Sequence, residues 1–225
     1  SAIAGVIILV SYGLIDFSYI RKLFSTSKRE SSVLIIKFLS VLFLKVDYAI
    51  YLGVFFSLVL YLRQTTQPRF VMISPDPENP RHMFVSVEKY NLEMCPQLTI
   101  IRIEGSLYFG AVEHVADKLD ELFHREEKHL LIVANNINLI DNMGAQFITG
   151  EVKRWAEEGK QIYFSGLKLR SREFLRSGGY VDEMGSERFF GNKEHAVEEI
   201  YKKLDQNICQ ECPVQLFREC PKRNS

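Results

Sequence analysis

Charge is spread so unevenly along this chain of 225 residues that two kinds of structure must share it. Residues 1–62 carry 40 hydrophobic side chains and only nine charges, net +3. The remaining 163 residues carry the other 47 charges and are net −3, so the whole chain sums to zero. Lipid tolerates the first pattern and water the second. The zero total leaves no basic excess for neutralising phosphates, which argues against a nucleic-acid partner. The composition also excludes collagen-like, disordered and small disulfide-scaffold chains.

Residues 2–15 contain no charge. As a helix they would reach about 21 Å, short of a bilayer core of about 30 Å. The expectation is the end of a transmembrane helix that continues upstream of Ser1. A signal peptide would need a basic region before the apolar run and a small-residue cleavage site after it. Residues 33–62 are too long for one plain span, and Lys45-Val46-Asp47 interrupts them. They read as two short helices, 32–44 and 48–62, joined by a tight turn. Lys37 and Asp47 are expected near an interface, where a long side chain can snorkel to water. Residues 16–32 read as a loop in which Arg21, Lys22, Lys28 and Arg29 outnumber Asp16 and Glu30. The excess of positive charge on cytoplasmic loops puts this loop in the cytoplasm, and a helical hairpin puts everything after Leu62 there too.

Residues 63–81 hold four of the seven prolines and read as a Pro-rich linker. Beyond it the periodicity changes. His82–Val87, Leu98–Ile103, Leu130–Ala134 and Ile162–Phe164 read as strands, with Arg188–Phe190 as an edge strand. Residues 111–124, 143–157, 169–176 and 193–204 read as helices. Gly159 ends the second of these and Asn192 caps the last. Strand and helix alternate over 82–205, which predicts an α/β domain with a mixed sheet and helices packed on it. Residues 206–225 form a tail that contains cysteines.

This organisation resembles the carboxy-terminal part of the SulP (sulfate permease) family of anion transporters. The marks are Leu14–Phe17 before a basic loop, the short helix pair, Pro68, and the strings Leu98–Ala111 (LTIIRIEGSLYFGA) and Asn135–Ile148 (NNINLIDNMGAQFI). The second part then resembles a STAS domain. The resemblance implies a secondary active transporter of inorganic anions, sulfate among them. Residues 1–62 would be the end of a transmembrane domain of about fourteen spans in inverted repeats. It implies an anion site outside this chain and no substrate-binding residue within it. It also implies contacts of the STAS domain with its own membrane domain, a second protomer or a cytosolic protein. The alternative is a membrane-tethered STAS regulator that binds signalling partners and transports nothing.

Asp141, Asn142, Met143 and Gly144 mark the candidate regulatory loop. Related soluble regulators carry Asp-Ser/Thr-Ser/Thr-Gly there, and a hydroxyl in it is phosphorylated. Asn142 and Met143 offer no hydroxyl, so the resemblance leaves a docking or anion-sensing surface, or a plain helix cap at Asp141. Cys209, Cys212 and Cys220 form C-x2-C-x7-C, a weak metal candidate because a zinc site wants four ligands. Cys95, far away beside Pro96, reads as packing. His82, His114, His124, His129 and His195 show no ligand spacing. Glu126-Glu127 and Glu157-Glu158 read as solvated faces. No nucleophile elbow or phosphate loop is present. The expectation is no enzyme and no cofactor.

Overall fold

The uncharged run after Ser1 winds into α1 (Ala2–Gly13). In the computed structural model, which describes residues 2–26, 28–43, 45–76, 79 and 83–221, the chain divides into two units, Ser1–Gln64 and Thr65–Ser225. The first unit continues with α2 (Phe17–Thr26), α3 (Lys28–Phe43) and α4 (Val46–Thr65). The expected loop at 16–32 is therefore largely helical. Asp16 Oδ1 accepts from Tyr19 N at 2.9 Å, a cap that starts α2. Ser31 Oγ donates to Leu23 O at 3.2 Å and ties the start of α3 back to α2. The expected helices 32–44 and 48–62 are α3 and α4. Lys37 lays its methylene stem where a Cβ at Gly53 would stand, only 2.8 Å from Lys37 Cε. Large apolar side chains on these helices point outward, Ile8, Phe38, Phe43 and Phe55 among them. Among the described residues α4 alone is long and apolar enough to cross a membrane, while α1 and α2 qualify only together, as a span bent by 46°.

The second unit is built on a mixed sheet. Its strands are β1 (Arg69–Pro75), β2 (Phe84–Ser86), β3 (Leu98–Leu107), β4 (His129–Val133), β5 (Ile137–Ile140), β6 (Gln161–Ser165) and β7 (Phe189–Phe190). The order is β2-β1-β3-β4-β6-β7, and β5 pairs with the far end of β3. The pairings of β1 with β2 and β3 are antiparallel; the rest are parallel. The 63–81 segment is thus not only a linker. Phe70–Ile73 are apolar between two prolines, and through them β1 joins the sheet between β2 and β3. Pro75 is tolerated because it ends the strand, where its missing N–H breaks no inner ladder. The expected strand from His82 begins at Phe84 among the described residues; His82 lies outside them. Val87 already belongs to a short helix, α5 (Val87–Tyr90), capped by Ser86.

The central strands are apolar throughout because both faces are covered. Ile101, Ile103, Leu130, Ile132, Ile162 and Phe164 face one core; their neighbours Ile100, Leu131, Val133 and Tyr163 face a second. Over the first core lie α6 (Val112–Phe123), α7 (Asn142–Glu157), α8 (Leu169–Ser177) and α9 (Tyr180–Met184). Val115, Leu119 and Leu122 of α6, and Ala145, Ile148, Val152 and Trp155 of α7, are buried as their spacing predicts. Over the second core lies α10 (Lys193–Tyr201), whose Asn192 cap accepts from His195 N at 2.8 Å. The tail folds back onto the same core through α11 (Gln206–Glu211), with Cys209 and Phe217 buried.

His129 opens β4, half-buried and stacked 6.0 Å from Tyr163. Burial first, then Lys203 and Lys128, push its pKa below the ordinary value. A folded pKa below the unfolded one means that the unfolded chain binds more protons in between. Stability of this unit should therefore fall as pH drops below about 6.5, the ordinary histidine value. Urea titrations followed from pH 8 to 5 should show this slope in the native chain and a flatter one in His129→Phe. Equal slopes would refute the assignment.

Candidate functional site

The end of β5 delivers Asp141 to the open end of the sheet. Its backbone N–H donates to Leu107 O at 3.2 Å. Its carboxylate bridges two elements: Oδ1 accepts from Gly144 N at 2.8 Å and Oδ2 from Phe109 N at 3.0 Å. One side chain thus caps α7 and fixes the turn between β3 and α6. Gly144 lies so close to β3 that a Cβ would stand 2.2 Å from Leu107 O. The glycine lets α7 start hard against the strand.

The four sequence-predicted loop residues therefore divide by role. Asp141 makes the cap and Gly144 the close approach to β3, and Asn142 and Met143 are exposed. Phe109, whose N–H meets Asp141, is exposed, as are Leu139 and Met143, two residues to either side of Asp141 in the chain. Leu169 is exposed after Lys168, whose Nζ donates to Asn138 Oδ1 at 2.5 Å. Phe109 and Leu139 were not singled out from the sequence, since alternation alone does not say which apolar residues stay outside. The positive end of α7 already holds the Asp141 carboxylate, so an incoming anion would meet like charge there.

A second cluster forms where the tail meets the sheet. Cys95, Cys209, Cys212 and Cys220 all line one cavity of about 20 Å³, with Gln97 and Tyr201 beside them. All four are free thiols. Cys95 is therefore not alone, as its sequence position suggests; the turn into β3 sets it against the folded-back tail. Gln97 holds that arrangement. Its Nε2 donates to Asp205 O at 3.0 Å and to Cys209 Sγ at 3.3 Å, and its Oε1 accepts from Asp205 N at 2.9 Å. Burial pushes the Cys95 thiol up to about 11 and raises Cys209 and Cys220 as well.

Among the described residues the histidines do not converge. His114 Nε2 lies 3.2 Å from Pro68 O, and His124 and His195 are exposed beside Asp120 and Glu198. Of the four glutamates read as solvated, Glu126, Glu157 and Glu158 are exposed, while Glu127 pairs with Arg125 at 3.0 Å.

Comparison with known proteins adds to this geometry. Residues 89–196 match the family model described as STAS domain. "Probable sulfate transporter 4.2" of Arabidopsis thaliana is 22% identical over 88% of this chain and 31% of its own length. "Sulfate transporter 1.2" of the same plant is 22% identical over 92% of this chain and 33% of its own. The structure of the murine Slc26a9 anion transporter in the inward-facing state superposes with a TM-score of 0.73 at 20% identity, covering 84% of this chain and 31% of that one. The likeness to that structure is one of fold, and this chain spans about a third of the length of each of these relatives.

Proposed function

We propose that this chain, whose residues 89–196 form a STAS domain of the SulP transporter family, is the carboxy-terminal part of a secondary active transporter of inorganic anions of the sulfate type. The observation that carries the reading is the order of its two units. A unit that turns large apolar side chains outward is followed directly by a STAS domain, and sulfate transporters align across both. Exposed apolar helices need an apolar surrounding, and a bilayer supplies one. On this reading Ser1–Gln64 lies in a membrane, in part as α4, and the STAS unit lies in the cytoplasm. The positive charge on residues 16–32 supports that side. The anion site belongs to transporter segments outside this chain, so the work of this piece is assembly and regulation.

The Phe109, Leu139 and Met143 surface fits that role as a docking face for protein: the membrane domain, a second protomer or a cytosolic protein. Asn142 and Met143 supply no hydroxyl for a phosphate switch. Contact, not phosphorylation, is then the means of control.

The test is fractionation followed by flux. Residues 1–225 should stay in the membrane pellet after alkaline extraction. Proteoliposomes holding residues 1–225 alone should take up no sulfate, whereas the transporter carrying this chain as its end should. Release of residues 1–225 from the membrane would overturn the membrane assignment. Sulfate uptake by residues 1–225 alone would overturn the division of labour.

A further inference from the structure

We propose that α2 is an interfacial helix whose basic face binds the headgroups of anionic phospholipids in the cytoplasmic leaflet. Its ten residues separate by face. At about 100° per residue, Phe17, Ile20, Leu23 and Phe24 share one arc, and Ser18, Arg21, Lys22 and Ser25 share the opposite one. The preceding helix, α1, has no charge to place on any face. An apolar stripe opposite a basic one belongs to a helix lying in the boundary between headgroups and acyl chains, rather than to one crossing the bilayer.

The geometry agrees with that placement. The pair α1 and α2 is bent by 46° at the break between them, so α2 leaves the line of α1. Asp16 starts the new direction by accepting from Tyr19 N. No residue of α2 is buried. Phe17 and Phe24 are exposed on the apolar arc, and Arg21 and Lys22 on the polar one. The Tyr12 and Phe17 rings lie 5.6 Å apart across the bend, and exposed Tyr19 borders the two arcs. Tyrosines gather at the headgroup level of a bilayer. Among the described residues neither Arg21 nor Lys22 makes an ion pair. Two free cations at the edge of a membrane unit call for an anionic surface, and acidic headgroups supply it. Each basic residue near such a surface favours it about fivefold. Ser31 Oγ ties the start of α3 to Leu23 O, so a headgroup anchor on α2 also fixes where α3 begins.

This inference rests on the reading of Ser1–Gln64 as a membrane unit, and its test reads the two separately. Residues 1–225 carrying Trp155→Phe and Tyr19→Trp have their single tryptophan at position 19. The chain is reconstituted in vesicles of phosphatidylcholine and phosphatidylglycerol. Brominated acyl chains, which quench a neighbouring indole, are carried by one lipid or the other at equal mole fraction. The ratio of the two lipid association constants should favour phosphatidylglycerol by about fivefold for each basic residue. Lys22→Gln should lower that ratio about fivefold, Arg21→Gln with Lys22→Gln should bring it to parity, and Lys22→Arg should leave it unchanged. Glutamine forms helix nearly as well as arginine and lysine, and circular dichroism checks that the helices are kept. Raising sodium chloride should weaken the preference by screening. Equal quenching by both lipids, or a preference that survives the double substitution, would overturn the proposal and leave the membrane reading standing. Quenching by neither lipid would overturn both. Inorganic phosphate that competes better than chloride at equal ionic strength would make free phosphate the ligand and overturn the lipid assignment.

Discussion

Alanine at position 144 should destabilise the STAS unit by about 3 kcal/mol, while alanine at position 150, in the same helix, should stabilise it by up to about 1 kcal/mol. The two glycines share α7, so propensity alone predicts a gain at both. Their surroundings decide otherwise. A Cβ at 144 would stand 2.2 Å from Leu107 O and 2.8 Å from Leu107 C, and that backbone is held in β3. A Cβ at 150 meets nothing within 4 Å. To admit the methyl group at 144, α7 must lift away from the strand. The lift would break the bonds that Gly144 N and Phe109 N donate to Asp141, adding the loss of a helix cap. Urea unfolding followed by the fluorescence of Trp155 reads this unit alone, because the chain has one tryptophan. Should both variants shift the midpoint in the same direction, the close approach at Gly144 is not real. A stable Gly144→Ala variant would also be expected to lose docking at the Phe109 and Met143 surface, since that surface hangs on the same cap.

The sheet and its helices were legible in the sequence wherever one physical signal dominated. Leu130–Val133 is apolar without interruption, and only a strand covered on both faces needs that. Ala145, Ile148, Val152 and Trp155 repeat at helical spacing and are buried accordingly. The misses fall where two signals compete. In β1 the prolines at 68 and 75 outweigh the four apolar residues between them, although both prolines sit at strand ends. In β5 the burial runs in, out, out, in from Ile137 to Ile140, because the pairing with β3 shifts register between Gly105 and Leu107. An irregular strand has no period to read. In α2 the charges that mark a loop sit on a helix begun by the Asp16 cap. Within the candidate sites, Asp141 and Gly144 were visible as a turn-and-cap pair. The bond from Phe109 N to Asp141 and the approach of Cys95 to the tail were not. Both join residues distant in sequence, and a single sequence carries no signal of such contacts.

The largest single loss of stability is expected from Trp155→Ala. The indole is 1% exposed and packs edge-on against Phe123, with ring centroids 5.5 Å apart. Around it the ends of α6 and α7 are tied together. Arg154 lies over the Phe123 ring at 4.4 Å and pairs with Asp120 at 2.9 Å. Lys160 Nζ donates to Phe123 O and Arg125 O, closing the carbonyl end of α6. Truncation to alanine removes the surface on which α6 and α7 meet and should cost about 3–5 kcal/mol. For a unit of this size that is a fall in Tm of roughly 10 °C. Phenylalanine should do far less harm, about 1.5 kcal/mol or under. It keeps the ring, and the indole N–H that it removes has no hydrogen-bond partner in this core. Thermal unfolding followed by circular dichroism separates the two variants without relying on tryptophan emission. Equal melting points for Trp155→Ala and the native chain would show that the helices do not depend on this contact. Trp155 lies twelve residues from Met143 along α7, about 18 Å at the helical rise. Below its melting point the alanine variant should therefore dock its partner as the native chain does, which separates holding the fold together from presenting the surface.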